Sequence, residues 1–294
     1  MTVFSRILCP VDFSKESGHA LAYAIALGRW STCSITGLHV YPVTVFSGIS
    51  GYPSFVIEPP DVGGLQASLR VFLAPAEGAG IAVDAIVEGG EPARTIVERA
   101  QTLSADLIVM GTHGLSGFER FALGSVTEKV LRKAAPPVLT IPPTAPTPGD
   151  VPFTRIVCAV DLSSASLAGL RLAAFFAREA GTHLTVVHVL DAHPDERELM
   201  VQPVSVREYW RERETDARRQ LDSVLPTDLA TLPETQLRHG KPYAEVLAAA
   251  AEQQADVIVM GIHARGTLDL KILGSTTNQI VRRSSFPVLT VRLM

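Results

Sequence analysis

The most constraining feature of this 294-residue sequence is that it contains the same pattern twice. Residues 106–140 include DLIVMGTHG, LGS and PVLT in that order, and residues 256–290 include DVIVMGIHA, LGS and PVLT. Gly111 and Gly261 lie 150 positions apart, and Asp12 and Asp161 lie 149 apart. Because solenoid repeats are roughly 20 to 50 residues long, this period instead indicates a duplicated globular domain. Each half is long enough to bury its own core.

Strand-like and helix-like segments alternate within each half. An apolar run from Val3 to Val11 ends at Asp12, and Ser14 is a candidate N-cap for a helix that precedes a second strand at 34–40. The same reasoning predicts strands at 81–87, 106–110 and 137–141, and helices near 65–76, 92–105 and 125–135. Five strands alternating with four helices predict an α/β fold, with a parallel sheet covered on both faces.

Three segments do not fit this alternation. Residues 42–64 form a loop rich in Gly, Pro and Ser, which is long enough to be functional. Residues 143–152 are rich in proline and should run extended as a linker between domains at 1–142 and 153–294. Residues 206–221 predict a charged helix whose charges form a solvated face.

The charge argues against two classes of partner, and the N-terminal residues and cysteines indicate the compartment. The 26 basic and 30 acidic residues give a net charge of -4, which argues against nucleic acid or an anionic membrane surface as a partner. Arg6 and Asp12 interrupt any secretory apolar segment, so a cytoplasmic location is expected. Cys9 and Cys158 should lie in buried first strands of a protein in a reducing compartment. No zinc spacing is present, and no metal site is expected.

A glycine-rich loop follows the fourth predicted strand of the first half. Gly111, Gly114, Gly124 and Ser125 follow the pattern G-x2-G-x9-G-S, which ends where a helix begins. Glycines let the backbone approach phosphate oxygens, and a helix N-terminus favours an anion. The hydroxyls of Ser125 and Thr127 are candidate donors. The alternative is that these glycines are ordinary turn residues.

Both halves resemble the universal stress protein family over nearly the whole chain apart from the linker and the two insertions. The resemblance implies an adenine-nucleotide α-hydrolase-like, Rossmann-like fold that binds ATP, with Mg²⁺ carried on the phosphates. The residues it implies for binding in the first half are Pro10, Val11, Asp12, Val40, Met110, Gly111, His113, Gly114, Gly124, Ser125, Val126 and Thr127.

The second half is expected to hold a weaker site, because Ala264 stands where the second glycine of the loop belongs. Arg265 beside it is a candidate phosphate ligand. The residues implied for this site are Ala159, Val160, Asp161, Val189, Met260, Gly261, Arg265, Gly274, Ser275 and Thr276.

Other polar residues near these loops have simpler explanations. His113 and His263 are candidates either for phosphate contact or for stabilising a turn. His39 and His188 should be structural rather than metal ligands. Asp12 and Asp161 are alternatively candidates for capping the helices that follow them, and Ser14 and Ser163 are competing candidates for the same role.

The predicted function is ATP-binding regulation in a stress response, with slow turnover or none. The sequence contains no P-loop lysine and no acidic pair next to the glycine loop. The alternatives are a nucleotide-free interaction module or a slow ATP hydrolase of a related α/β fold. An ATP pyrophosphatase would need an SGGxDS-type loop, which CPVDFS and AVDLSS do not supply. The apolar last strands, 137–142 and 287–292, are expected to pair with each other, and a homodimer is a further possibility.

Overall fold

A computed structural model describes residues 4–43, 45–46, 55–56, 60–114, 123–149, 151, 153–191, 206–229, 231–262 and 273–293. The chain divides into two compact units, Met1–Pro152 and Phe153–Met294. No helix among the described residues is long and apolar enough to cross a membrane.

The first unit alternates strands and helices. Its elements in chain order are β1 (Arg6–Pro10), α1 (Lys15–Ser31), β2 (Ser34–Tyr41), β3 (Val45–Phe46), β4 (Phe55–Val56), α2 (Val62–Gly78), β5 (Ala82–Gly89), α3 (Pro92–Thr102), β6 (Leu107–Gly111), α4 (Ser125–Lys133) and β7 (Val138–Ile141).

The described residues of the second unit repeat the order of the longer elements. Its elements are β8 (Arg155–Ala159), α5 (Ser164–Ala180), β9 (His183–Leu190), α6 (Val206–Val224), β10 (Glu234–His239), α7 (Pro242–Glu252), β11 (Val257–Ile262), α8 (Ser275–Arg283) and β12 (Val288–Arg292).

Each unit contains a five-stranded parallel sheet, which confirms the predicted fold class. The strand order is β5, β2, β1, β6, β7 in the first unit and β10, β9, β8, β11, β12 in the second. The order reverses between β1 and β6, and between β8 and β11. In open parallel sheets, ligands bind outside the carboxyl ends of the strands at such a reversal. The carboxyl ends of these four strands are therefore where a ligand site is expected.

Several predicted boundaries shift for local reasons. Helix α2 begins at Val62 rather than Leu65, because the Asp61 carboxylate accepts a hydrogen bond from the Gly64 N–H and caps the helix three residues earlier. Helix α3 ends at Thr102, before Ser104 takes the left-handed conformation. The predicted loop 42–64 contains the antiparallel pair of β3 and β4, which alternation of longer segments did not predict.

The cysteines lie where the sequence predicted them. Cys9 in β1 and Cys158 in β8 are fully buried, and burial raises the pKa of each thiol to about 12. Both thiols are free, as is that of Cys33. At neutral pH, Cys9 and Cys158 therefore behave as small apolar core residues rather than as nucleophiles.

The proline-rich segment after β7 does not simply run extended. The Ala145 N–H donates to the Pro142 carbonyl and closes a turn, and the Ala145 side chain is buried. The Tyr23 hydroxyl on α1 donates to the Pro146 carbonyl at 2.7 Å. The sequence gives no sign of this contact, because the tyrosine lies more than a hundred residues earlier in the chain.

Helix α6 has the solvated charged face that the sequence predicted. Its side chains described from Glu208 onward are mostly exposed, and Ala217 and Leu221 are the buried ones that attach it to the unit. Arg213 lies over the Tyr209 ring and donates to its hydroxyl at 2.7 Å. The arginine thus has a local partner within its own helix.

The C-terminal caps of α1 and α5 form a matched pair for a stability test. Both are left-handed, with φ of 53° at Thr32 and 63° at Gly181. That conformation strains a side chain with a Cβ by about 1–2 kcal/mol, and glycine escapes this cost. We expect Thr32→Gly to stabilise the first unit by up to about 1 kcal/mol once the greater freedom of unfolded glycine is subtracted. Gly181→Thr should destabilise the second unit by about 1–2 kcal/mol.

Denaturant unfolding followed by tryptophan fluorescence measures both changes. Trp30 lies in the first unit and Trp210 in the second, so replacing either one with phenylalanine leaves a signal from one unit only. Unchanged unfolding midpoints in both variants would show that the left-handed conformation is not strained at these caps.

Candidate functional site

The chain turns sharply after the first strand of each unit. The Val11 N–H donates to the Leu38 carbonyl at 2.8 Å, which extends the pairing of β1 with β2 by one residue. The next turn has a left-handed residue in each unit, with φ of 62° at Phe13 and 64° at Leu162. This conformation is rare for bulky side chains, and it concentrates at functional sites where surrounding structure holds it.

The turn fixes the carboxylate of the strand-one aspartate in each unit. Oδ1 of Asp12 accepts a hydrogen bond from the Ser14 N–H at 3.0 Å, and Oδ1 of Asp161 accepts one from the Ser163 N–H at 3.0 Å. The helix caps are the serines, whose hydroxyls accept hydrogen bonds from N–H groups in the first turns of α1 and α5. The capping explanation for the aspartates is therefore wrong.

The glycine loop lies directly against this turn in the first unit. A Cβ built on Gly114 would lie 2.5 Å from Oδ2 of Asp12. A Cβ on Gly124 would lie 3.0 Å from the Thr112 carbonyl oxygen, to which the Gly124 N–H donates at 2.9 Å. Neither glycine has a positive φ, so glycine is needed here for close approach rather than for backbone freedom.

Two residues beside this loop, one in α4 and one in α1, make contacts that the sequence did not predict. The Thr127 hydroxyl donates to the Gly111 carbonyl at 2.9 Å and is buried, so it is not the ligand donor that the sequence predicted. Only its backbone N–H remains for that purpose. Glu16 in α1 also lies against the loop, with its Cβ 3.3 Å from a Cβ built on Gly111. The structure therefore places the Asp12 carboxylate against the loop, whereas the atoms of Glu16 that lie there are its Cβ and its carbonyl oxygen.

The helices that follow the glycine loops begin without a side-chain cap. Gly124 and Gly274 are the N-caps of α4 and α8 and supply no acceptor for the first-turn N–H groups. Ser125 and Ser275 at the first helical positions are exposed. Free N–H groups and the positive end of the helix dipole together favour a bound anion such as phosphate.

The histidines near the site have identifiable partners. His39 Nδ1 donates to the Val11 carbonyl at 2.8 Å, and His188 Nδ1 donates to the Val160 carbonyl at 2.7 Å, as expected of structural histidines. His113 Nδ1 lies 2.9 Å from the Thr112 hydroxyl, which supports its turn-stabilising role. Its Nε2 is buried and has no partner among the residues that the structure describes, so a ligand oxygen at that atom would satisfy it.

Charge at the edge of the site differs between the units. Glu91, the N-cap of α3, accepts hydrogen bonds from Lys129 Nζ at 2.9 Å and from the Arg94 N–H at 2.7 Å. The hydrogen bond from Lys129 holds the pKa of Glu91 below its usual value. The N-cap of α7 is Lys241, which makes no side-chain cap hydrogen bond. A cation therefore replaces an anion at this position of the second unit.

A cavity of about 450 Å³ opens at the carboxyl ends of the strands in the second unit. Nine of the ten residues implied for the second site line it. They are Ala159, Val160, Asp161, Val189, Met260, Gly261, Gly274, Ser275 and Thr276. The tenth residue, Arg265, lies outside the described residues, as do Ala264 and His263.

The cavity also has lining residues that the sequence did not predict. They are Ser166, Val187, Pro242, Val246 and Thr277. Two belong to α7, which begins at the same edge of the sheet because the carboxyl ends of all parallel strands meet there. The proline that begins α7, and its counterpart that begins α3, could have been identified from this rule.

A model of the universal stress protein family matches residues 4–142 and 152–292. The chain belongs to this family. The match covers each half separately, which confirms both the resemblance and the duplication inferred from the sequence.

Individual relatives agree with this membership. A universal stress protein of Mycolicibacterium smegmatis is 26% identical over 293 residues, which cover 97% of this chain and 96% of the relative. One of Methanocaldococcus jannaschii is 35% identical over 141 residues, which cover 47% of this chain and 82% of the relative. The crystal structure of a universal stress protein from Archaeoglobus fulgidus has a TM-score of 0.69 at 24% identity and covers 98% of both chains, a likeness of fold.

Proposed function

We propose that this protein is an ATP-binding regulatory member of the universal stress protein family, in which bound nucleotide biases conformation or partner choice. The cavity of the second unit is the observation that carries the proposal, because residues implied by family resemblance surround one space of ligand size. The first unit has equivalent residues in the same elements, together with the complete glycine loop.

The chemistry of the cavity wall suits a nucleotide. One side is apolar, formed by residues such as Val160, Val189 and Met260, and can cover a base. The other side carries the uncapped first turn of α8, whose N–H groups can hold phosphate oxygens. Asp161 lines the same cavity and can accept hydrogen bonds from ribose hydroxyls. In this proposal Mg²⁺ is carried on the phosphates, which keep it bound mainly through their own oxygens.

The proposed role is regulatory rather than catalytic. Hydrolysis of ATP requires a positioned water and neutralisation of charge at the γ-phosphate. The sequence has no P-loop lysine, and the Asp12 carboxylate beside the first glycine loop adds negative charge. Slow turnover or none follows from this arrangement. The free buried thiols support the proposed cytoplasmic location.

Mass spectrometry of the small molecule released from freshly purified, denatured protein should detect an adenine nucleotide. Calorimetry with MgATP should then show binding that Gly114→Val weakens about 10- to 100-fold, equivalent to 1–3 kcal/mol from a lost hydrogen bond or a steric clash. Protein that retains no nucleotide and gives no heat with MgATP would instead support a nucleotide-free interaction module.

We also propose that the final strands of the two halves pair with each other, since short apolar edge strands associate unless covered. A protease site introduced at residues 147–151 tests this pairing in the full chain. After cleavage, the halves should elute together in gel filtration. Halves that separate at micromolar concentration would refute the pairing, and elution at twice the chain mass would indicate the homodimer.

A further inference from the structure

The first residues of the proline-rich linker are held against helix α1. The Ala145 N–H donates to the Pro142 carbonyl at 3.0 Å and closes a turn, and the Ala145 side chain is buried. The turn presents the Pro146 carbonyl oxygen to α1, where the Tyr23 hydroxyl donates to it at 2.7 Å and His19 Nε2 lies 3.4 Å from it. Tyr23 is only 2% exposed, and a buried hydroxyl that loses a hydrogen bond is costly, so this contact fixes the linker in one position.

The same face of α1 lies against the glycine loop. Glu16, His19 and Tyr23 are separated by three and four residues, which places them along one side of the helix. The Cβ and the carbonyl oxygen of Glu16 are each 3.3 Å from a Cβ built on Gly111, the last residue of β6. Helix α1 also packs against β6 and β7. One side of this helix therefore contacts the candidate nucleotide site near its N-terminus and the linker near its middle.

A second connection joins the glycine loop to the linker through β7. The Thr112 N–H donates to the Ile141 carbonyl at 3.0 Å, and the Thr112 carbonyl accepts a hydrogen bond at 2.9 Å from the N–H of Gly124, the N-cap of α4. Ile141 is the last residue of β7, and the linker turn begins at the next residue, Pro142. The start of α4 is thus joined to the start of the linker through a single residue of the loop.

The side chains on this face of α1 differ from those at the equivalent positions of the second half. Equivalence follows from the offset of 149 that relates Asp12 to Asp161. The residues equivalent to Glu16, His19 and Tyr23 are Ala165, Ala168 and Leu172, in that order. Side chains that only stabilise the shared fold would be needed in both halves. Polar side chains occupy these three positions in the half that leads into the linker, and alanine or leucine occupies them in the other.

Ligand binding and the contact with the linker favour the same position of α1. Ser14 caps α1 and donates to the Asp12 carboxylate, and Tyr23 lies about 13 Å farther along the same helix. A nucleotide that contacts Asp12 and the glycine loop binds the arrangement in which both lie against the N-terminal end of α1. Because a ligand stabilises the whole arrangement that it binds, it also stabilises the hydrogen bond from Tyr23 to the linker.

We propose that a nucleotide bound in the first half holds the linker on α1 through Tyr23, so that occupancy of this site determines how freely the linker moves. The inference rests on the proposed nucleotide binding and adds a structural consequence of it. Coupling between two sites is reciprocal. Loss of the contact with the linker must therefore weaken nucleotide binding by the factor by which the nucleotide strengthens that contact.

The rate at which a protease cuts the linker of the full chain tests the proposal. With a protease site at residues 147–151, saturating MgATP should slow cleavage at least about 5-fold, because backbone held in place is a poor protease substrate. Tyr23→Phe removes only the hydroxyl and should give fast cleavage with and without MgATP. Calorimetry should show that this variant binds MgATP more weakly by a similar factor. Tyr41→Phe removes a hydroxyl from β2 of the same unit and should behave as the parent chain does.

Two further variants locate the effect. Gly114→Val should lose the protection at an MgATP concentration that saturates the parent chain, which assigns the protection to the first half. His19→Ala introduces the residue of the second half and should reduce the protection. Unchanged cleavage in a parent chain that calorimetry shows to be saturated with MgATP, or full protection in Tyr23→Phe, would overturn the proposal while leaving nucleotide binding intact. A parent chain that gives no heat with MgATP would overturn the proposed function as well.

Discussion

Replacing Gly261 with alanine is expected to unfold the C-terminal half under conditions in which the same change at Gly111 is tolerated. A Cβ on Gly261 would lie 2.2 Å from the carbonyl carbon of Ala165 and 2.3 Å from the N of Ser166, which are backbone atoms of α5. A Cβ on Gly111 would meet its nearest atoms at 3.0 and 3.3 Å. Backbone cannot rotate away as a side chain can, so α5 would have to leave its place against β11.

The difference between the units has a visible cause. Gly169 in α5 lies against Met260 and Gly261, where a Cβ would be 3.3 Å from the backbone, whereas the equivalent residue of α1 is Ala20. Without that methyl group, α5 can approach the fourth strand of its sheet more closely. The close approach then requires glycine at position 261 as well. Steric overlap typically costs about 1–3 kcal/mol and more where backbone must move, a large part of the roughly 5–15 kcal/mol that stabilises a typical domain.

Unfolding in urea separates the two outcomes. Gly261→Ala should lower the midpoint reported by Trp210 in a chain that carries Trp30→Phe. In a second chain, which keeps Trp30 and carries Trp210→Phe, it should leave the Trp30 transition in place. Gly111→Ala, followed through Trp30, should cost no more than about 1 kcal/mol. Similar losses in the two variants would mean that α5 can shift as easily as α1.

The fold could be predicted from the sequence because its signals are local and repeated. The run LIVMG in β6 is buried at every position, as a strand covered on both faces must be, and the similar run VIVMG in β11 is buried at its first four positions. The ends of elements were less predictable, since they depend on single hydrogen bonds such as that from the Gly64 N–H to Asp61. The contact of Tyr23 with Pro146 joins distant residues and has no local signal.

The residue types of the candidate site could be predicted from the sequence, but the contacts that each residue makes could not. Gly114 was expected to make room for phosphate, and the structure adds a close approach to the Asp12 carboxylate that the sequence did not predict. Thr127 was expected to bind ligand, and its hydroxyl instead holds the Gly111 carbonyl. Packing between elements decides these roles. A motif specifies which residues meet, while the partners of each atom depend on how closely the helices approach the sheet.

The two halves should bind ATP with different affinities, and the contact of Gly114 with Asp12 gives the physical reason. Gly114→Ala would bring a Cβ to 2.5 Å from Oδ2 of Asp12, so the carboxylate must rotate and lose its hydrogen bond from the Ser14 N–H. We expect the stronger ATP site to weaken about 10- to 100-fold, since a hydrogen bond to a charged group contributes about 1.5–3 kcal/mol. Ala264→Gly should strengthen only the weaker site.

A double-mutant cycle distinguishes the carboxylate from the phosphate as the group that needs the glycine. In an Asp12→Ala chain the nearby carboxylate is gone, so Gly114→Ala should have little further effect on ATP affinity measured by calorimetry. If Gly114→Ala weakens binding equally with and without the carboxylate, the methyl group obstructs the phosphate directly. If it weakens binding in neither background, Ala264 is not the cause of any difference between the halves. Substitutions at Arg265 or in helix α6 should then be tested instead.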